Sequence, residues 1–186
     1  MKPKHYLDFI AIDGGEDAPS FVSLGKAYRV LHGAFGGSGG KYAIALPAAH
    51  AGATKRTTGG VIRVFASSPA DLYELLEKVR GHRIIRDYVR LGVVQDVPED
   101  FNGKWQTWQR VQVQKSAGVN REKTIERATK TPFFDFGSSG GGTFPLRVIV
   151  RDAAPQVEEA TPNSYGLAAG GNLRGDGRNM FSVPAI

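Results

Sequence analysis

The stretch HYLDFIAIDGGEDAPSFVSLGKAYRVLHGAF, residues 5–35, decides the first unit of the fold. Its opening part, residues 5–12, predicts a β-strand. The following part, residues 19–35, predicts a helix, because apolar side chains recur along one stripe at helical spacing. The stripe consists of Phe21, Leu24, Tyr28, Leu31 and Phe35. The chain therefore begins with a strand followed by a helix.

The segments that follow extend this pattern to a complete lobe. A glycine-rich break at residues 36–40 separates the first helix from them. Two strands, a helix and a fourth strand are predicted at residues 41–46, 61–66, 69–79 and 88–94. The order strand, helix, strand, strand, helix, strand is that of a ferredoxin-like (RRM-like) fold. Many RNA-binding modules use this fold, although a fold alone assigns no function.

The second half of the chain has a different pattern. The turn-forming run Val97-Pro98-Glu99-Asp100 marks the predicted boundary between two lobes, residues 1–97 and residues 98–186. The elements predicted beyond it are strands at 105–114, 131–136 and 144–151 and a short basic helix at 120–130. The predicted fold class is therefore α+β, with an N-terminal ferredoxin-like lobe and a C-terminal β-rich RNA-recognition lobe that carries the helix.

The charge distribution favours a polyanionic partner. The chain has 24 Lys and Arg against 18 Asp and Glu, a formal net charge of +6. Residues 104–130 hold seven basic and two acidic side chains, a net of +5. Lys and Arg displace the counterions condensed on phosphates, so nucleic acid is the leading partner class. Taken alone, this segment is better explained as a solvated basic face.

Several function classes are excluded or lack support. The chain has no cysteine, which excludes disulfides, thiolate nucleophiles and cysteine-based zinc sites. No HxH, HExxH or clustered acidic motif occurs, so we expect no metal and no other cofactor. The longest apolar stretches are too short to span a bilayer, and no apolar signal core follows the first residues. We therefore expect a cytoplasmic protein without a membrane segment.

His32 differs from the other three histidines because it lies near the end of the predicted helix, immediately before Gly33. An imidazole titrates near neutral pH and suits proton transfer. Taken alone, a structural histidine at a helix end explains this position more readily. RNA nevertheless offers a route without metal, because its own 2′-hydroxyl can attack the adjacent phosphate once a base removes the proton.

Two further features allow alternative interpretations. The loop at residues 137–142 has little side-chain bulk, so its backbone could approach a phosphate, or it could be an ordinary flexible hairpin connection. Trp108 and Tyr165 could stack on RNA bases or belong to a core or interface. The predicted strand at 105–114 places Trp108, Arg110, Gln112 and Gln114 on one face, which we interpret as a reader of bases.

Four short motifs, in order along the chain, resemble the CRISPR repeat-processing endoribonucleases of the type I-F branch. They are His5-Tyr6-Leu7-Asp8, Leu31-His32, the Arg110-Val111-Gln112 strand followed by Lys115-Ser116, and Tyr165-Gly166-Leu167. The resemblance implies that His32 is the general base and that Tyr165 orients it. It implies that a serine positions the attacking 2′-hydroxyl; Ser138 is marginally preferred over Ser139. It also implies that Arg110 and Gln112 recognise a guanine, which suits the two parallel donors of arginine.

The resemblance further implies a basic helix that lies along the RNA hairpin. Lys123, Arg127 and Lys130 share one face of the predicted helix, but Glu122 and Glu126 lie among them, which departs from the arginine-rich helix of the family. The complete set of expected RNA-binding residues is Trp108, Arg110, Gln112, Gln114, Lys115, Arg121, Lys123, Arg127, Lys130 and Phe144. The expected partners are the CRISPR repeat RNA hairpin and other subunits of a type I-F surveillance complex. Those subunits would compensate for weaker RNA binding by the short basic helix.

The function expected from the sequence is therefore cleavage of precursor CRISPR RNA at a repeat hairpin, without metal. One alternative is a noncatalytic subunit that binds an RNA hairpin and in which His32 is structural. A second is an assembly protein whose basic surface contacts other proteins and which has no preference for a hairpin.

Overall fold

A computed structural model of the protein describes residues 1–15, 19–52, 54, 56–111, 122, 125–126, 128–137, 142–156, 158–168 and 181–186. The helices described over their whole length are α1 (Ser20–Phe35), α2 (Pro69–Val79) and α3 (Arg83–Tyr88). The strands are β1 (His5–Ala11), β2 (Ala43–Ala45), β3 (Val61–Ala66), β4 (Val89–Leu91), β5 (Gln95–Asp96), β6 (Trp105–Val111), β7 (Phe133–Gly137), β8 (Thr143–Ala153) and β9 (Val183–Pro184).

The first antiparallel sheet has the strand order β2-β3-β1-β4, and the short β5 pairs with the beginning of β1. β1 and β3 pair in a register that places Phe9 opposite Ile62. Residues directly opposite each other on paired strands lie on the same face of the sheet. Both side chains are fully buried, and α1 and α2 pack against these two strands. This topology confirms the predicted ferredoxin-like lobe.

The second sheet is also antiparallel, with the order β7-β8-β6-β9. β8 is its central long strand and places Val150 opposite Trp108 and Phe144 opposite Phe136. The predicted α+β class, with a ferredoxin-like lobe and a β-rich lobe, is therefore confirmed.

Helix α1 packs against both sheets. Tyr28 on this helix contacts two aromatic rings of β7, with centroid distances of 4.6 Å to Phe134 and 5.3 Å to Phe136. Gly25, one turn earlier, lies where an added Cβ would be 4.0 Å from the Phe134 ring, so the helix approaches the strand closely. Aromatic pairs of this kind contribute about 0.5–1.5 kcal/mol each beyond burial. One apolar core consequently extends from the first sheet into the second.

Some boundaries differ from those expected. Tyr88 closes α3, which the sequence did not predict; the helix is under two turns long, too short for a periodic signal, and its N-cap is the His82 ring. Phe21 was expected in the buried stripe of α1, but 56% of it is exposed, and the buried residues of this helix begin at Ser23. The observed change of sheet falls between β5 and β6, and the lobe boundary at 97/98 stays a prediction.

Within the described part of the chain, none of the helices combines the length and the apolar character that crossing a membrane requires.

Candidate active site

His32 lies in the last turn of α1 and is held by the C-terminal part of the chain. Its Nδ1 atom is 2.9 Å from the backbone carbonyl oxygen of Ser164. A carbonyl oxygen can only accept a hydrogen bond, so Nδ1 must be the donor and carry the hydrogen. The neutral ring therefore keeps a free lone pair on Nε2, which is the form that a general base requires.

Aromatic contacts fix the plane of this imidazole. The Tyr165 ring stacks on it with a centroid distance of 4.2 Å and an angle of only 4° between the planes. Phe136 meets it edge-on at 5.8 Å. The ring is thus held by one hydrogen bond, one stacked ring and one edge contact, all contributed by residues beyond 130. The structure brings His32 and Tyr165, two of the predicted catalytic residues, into direct contact.

Arg110 places a permanent positive charge beside this stack. Its guanidinium carbon lies 5.2 Å from the centroid of Tyr165 and 5.5 Å from that of Phe144. Both distances are in the range of cation–π interactions, which hold an arginine in place and leave its N–H groups available to a ligand. The predicted RNA-binding residues Arg110 and Phe144 therefore lie together, next to the predicted catalytic pair.

Three consecutive backbone carbonyls join the loop around Tyr165 to the N-terminal lobe. The Ser164 carbonyl accepts from His32, the Tyr165 carbonyl from the Tyr28 hydroxyl at 2.7 Å, and the Gly166 carbonyl from the backbone N–H of Ile44 at 2.8 Å. Burial of Tyr28 raises the pKa of its phenol well above 10.0, so this hydroxyl stays protonated and donates. Sequence reasoning placed Tyr28 in the core and missed this role. Its position one turn before His32 in the same helix was the available signal.

Gly166 allows this loop to approach the first sheet. Its φ of +70° lies in the left-handed region, where residues with a Cβ are strained. An added Cβ would also lie only 3.1 Å from side-chain atoms of Ile44 and Phe35. The glycine of the Tyr165-Gly166-Leu167 motif is therefore required by both conformation and space.

A second connection fixes β7 relative to α1. Arg29, one turn before His32, donates from Nε at 3.0 Å and from Nη2 at 2.6 Å to the carbonyl oxygen of Asp135. β7 ends at Gly137, and the predicted catalytic serines follow it directly in the sequence. Arg29 therefore fixes β7 against α1 at Asp135, two residues before the strand ends.

Several predicted residues lie outside the described part of the chain. These are Gln112, Gln114, Lys115, Arg121, Lys123, Arg127, Ser138 and Ser139. The described residues between 122 and 130 are helical up to Thr129, in agreement with the predicted basic helix. Lys130 forms an ion pair with Glu126 at 2.9 Å, which lowers the pKa of that carboxyl and means that the ammonium already has a partner.

Trp108 requires a correction. The sequence placed it on the face interpreted as a reader of bases and left a core role open, and the structure shows only 5% of the residue exposed and the residue within the apolar core. Strict alternation failed here because both faces of β6 are covered in its middle, so Thr107 is buried as well. Of the two interpretations of Trp108, base stacking and a core role, the structure favours the core.

The open face of the ferredoxin-like sheet is also covered. RRM modules stack RNA bases on aromatic residues of this face. Here Tyr6 and Phe65, which occupy it as a cross-strand pair, are both buried. Beside them Arg63 makes a two-pronged ion pair with Asp8, at 2.7 and 2.8 Å. RNA cannot stack there without displacing this packing, which leaves the surface around His32 and Arg110 as the candidate RNA interface.

No group of three or more His, Asp or Glu side chains that could hold a metal ion occurs among the residues that the structure describes.

Comparison with known proteins gives one informative result. The model of a family described as CRISPR-associated protein (Cas_Csy4) matches residues 6–131. This match covers more than half of the 186 residues and includes His32 and Arg110, while Tyr165 lies beyond its end. A search of curated protein sequences finds no significant match.

Proposed function

Because the chain belongs to the CRISPR-associated Csy4 family, whose members are CRISPR endoribonucleases, we propose that it cleaves precursor CRISPR RNA. It binds the repeat hairpin and cuts at its foot without metal, which releases mature guide RNA. The family assignment supports RNA processing in general. The geometry around His32 supports this particular reaction.

The single observation that carries the mechanism is the hydrogen bond from Nδ1 of His32 to the Ser164 carbonyl. It selects the tautomer in which Nε2 can accept a proton. The stacked Tyr165 ring keeps that atom in one direction. A histidine that served only to cap the end of α1 would not need the loop around Tyr165 to fix its tautomer.

The proposed step is internal transfer at one phosphodiester. Nε2 of His32 removes the proton from the ribose 2′-hydroxyl, and the resulting oxygen attacks the adjacent phosphorus. A bond forms between O2′ and phosphorus, and the bond from phosphorus to O5′ breaks. The departing 5′-oxygen takes a proton from solvent. The products are a 2′,3′-cyclic phosphate and a 5′-hydroxyl, with Ser138 or Ser139 holding the attacking hydroxyl in line.

Arg110 supplies recognition next to this centre. Its two-pronged donor arrangement matches O6 and N7 of guanine, and the Phe144 and Tyr165 rings hold the guanidinium. Gln112 follows two residues later on the same predicted face. Recognition of a guanine therefore takes place beside the bond that is cut.

The basic segment supplies affinity that does not depend on sequence. Lys115, Arg121, Lys123 and Arg127 contact phosphates, but Lys130 is already paired with Glu126. We propose that the protein stays on the 3′ hairpin of the product as a subunit of a type I-F surveillance complex, whose other subunits also bind the RNA.

The decisive experiment compares a repeat hairpin with one in which the nucleotide before the cut lacks its 2′-hydroxyl. We expect full cleavage of the first, none of the second, and similar affinity for both, because the deoxy substrate lacks only the nucleophile. Both reactions contain excess EDTA. Cleavage of the deoxy hairpin would reject internal attack, and dependence on an added divalent ion would reject the metal-independent mechanism. Binding without any cleavage would favour the noncatalytic RNA-binding subunit.

A further inference from the structure

The loop that holds His32 is built around one side chain, Asn163. Its Oδ1 atom accepts from the backbone N–H of Tyr165 at 2.9 Å and from that of Leu167 at 3.1 Å. The first of these is the local turn that asparagine and aspartate side chains form with the backbone two residues ahead. The second closes the loop at its far end, so one oxygen atom accepts hydrogen bonds from both Tyr165 and Leu167.

The backbone of the same residue closes the loop a second time. The N–H of Asn163 donates to the Leu167 carbonyl, and the carbonyl of Asn163 accepts from the N–H of Gly166, both at 2.8 Å. Ser164, Tyr165 and Gly166 are therefore enclosed between hydrogen bonds to one residue. Their own carbonyls all point outward, to His32, Tyr28 and the strand β2 respectively.

This arrangement makes the tautomer of His32 depend on Asn163. The Ser164 carbonyl faces Nδ1 only while the enclosed residues keep their present conformation. Removal of Oδ1 would leave the N–H of Leu167 without its partner beside a fully buried side chain, which is costly. The loop would then rearrange, and both the Ser164 carbonyl and the Tyr165 ring would leave their places beside His32.

We propose that Asn163 is a positioning residue that keeps His32 in the Nδ1-protonated form through the loop it encloses. The proposal rests on the proposed function in one respect, that Nε2 of His32 is the base. Asn163 itself does not touch the RNA. Its contribution is the orientation of a carbonyl and a ring, and its loss lowers the rate of cutting more than the affinity for the hairpin.

The test compares Asn163→Ala, Asn163→Ser and Asn163→Asp in the full-length protein. Aspartate keeps an oxygen at the position of Oδ1 and loses only the long contact from Nδ2 to the Ala168 carbonyl at 3.5 Å. Serine keeps one weaker acceptor, and alanine keeps none. Asn102→Ala, at an exposed asparagine before β6, is the matched control. The first readout is the ¹⁵N spectrum of the His32 ring in the protein without RNA. The second is the single-turnover cleavage rate, with hairpin affinity measured in parallel.

In the wild type, in the control and in Asn163→Asp we expect the Nδ1-protonated form. In Asn163→Ala we expect a mixture of tautomers and a rate lower by about 10- to 100-fold, since small displacements of a catalytic group have effects of this size. Asn163→Ser should fall between them. Affinity should fall much less than the rate, by about fivefold at most, because Arg110 loses the Tyr165 ring but keeps its contact with Phe144. The bonds of the Asn163 side chain itself are made to backbone groups of Tyr165, Leu167 and Ala168.

The proposal is overturned if Asn163→Ala keeps the wild-type ring spectrum and rate, or if Asn163→Asp is as slow as Asn163→Ala. Global unfolding of all three Asn163 variants would also overturn it, since Asn163 would then determine the fold and not the tautomer. The ring spectrum needs no RNA, so the two proposals fail separately. A wild-type protein that cuts no hairpin refutes the endoribonuclease, whereas an unresponsive ring refutes the role of Asn163.

Discussion

Replacement of His32 by asparagine separates its proposed catalytic role from its structural role. The Nδ2 amide of asparagine occupies the position of Nδ1 and can still donate to the Ser164 carbonyl, but the variant has no atom in place of Nε2. His32→Asn therefore keeps the interlobe hydrogen bond and loses the base. His32→Ala loses both. We expect the two variants to be equally defective in cutting and to differ in stability.

The magnitudes follow from the contacts of the ring. The hydrogen bond contributes about 0.5–1.5 kcal/mol and the stacked Tyr165 about the same. His32→Ala should therefore lower the free energy of unfolding by about 1–3 kcal/mol and His32→Asn by roughly half of that. Domains are typically stable by about 5–15 kcal/mol, so both variants should remain folded. Loss of general-base catalysis should slow cutting by about 10²- to 10⁴-fold in both.

The assay is single-turnover cleavage of a repeat hairpin at saturating protein, with urea unfolding and hairpin affinity measured on the same samples. His50→Ala, at an exposed histidine whose two bonds to Thr57 are made by its backbone, is the control and should have the wild-type stability and cutting rate. A folded His32→Asn protein that binds the hairpin and cuts nearly as fast as the wild type would show that Nε2 is not the base, and His32 would then be structural.

Two other substitutions test the surroundings of this ring. Arg110→Ala should reduce discrimination at one base pair at the hairpin foot by about 1–3 kcal/mol, measured as affinity for hairpins that differ only there; equal loss for every base would make Arg110 a phosphate contact. Tyr28→Phe should cost about 1–3 kcal/mol at neutral pH, because it leaves the Tyr165 carbonyl without its donor. Since burial raises the pKa of Tyr28, wild-type stability is fully present below the ordinary tyrosine value of 10.0 and is lost as pH rises toward the folded pKa. The stability difference from Tyr28→Phe, followed by urea unfolding, should therefore shrink above pH 10, and a constant difference would contradict this account.

The order of elements in the first lobe could be predicted because each long element has an unambiguous period. α1 and α2 carry apolar stripes, and the two helices were predicted within one residue of their observed bounds. Short elements carry too few residues for any period. β5 and β9 have two residues each and owe their pairing to neighbours distant in sequence, so no local pattern could indicate them.

The candidate site was predictable only in part. His32, Arg110 and Tyr165 were predicted from short motifs. In the structure both His32 and Arg110 contact the Tyr165 ring. Trp108 was misplaced because period-two alternation separates the two faces of a strand but does not say whether both are covered. The Ser164 carbonyl could not be found at all, since a backbone group has no signature in the sequence.

The position of that carbonyl links the chemistry of the site to the packing of the two lobes. α1 belongs to the first sheet, yet His32 on this helix acquires its tautomer from a residue 132 positions later in the chain. The neighbouring carbonyls of Tyr165 and Gly166 accept from Tyr28 and Ile44, so the bond that sets the tautomer is one of three that hold the loop against the N-terminal lobe. If the lobes separate, the imidazole loses its acceptor and its stacked ring together. In the proposed mechanism a competent base therefore exists only in the docked form, and substitutions that weaken docking without touching RNA should lower the cutting rate more than the affinity.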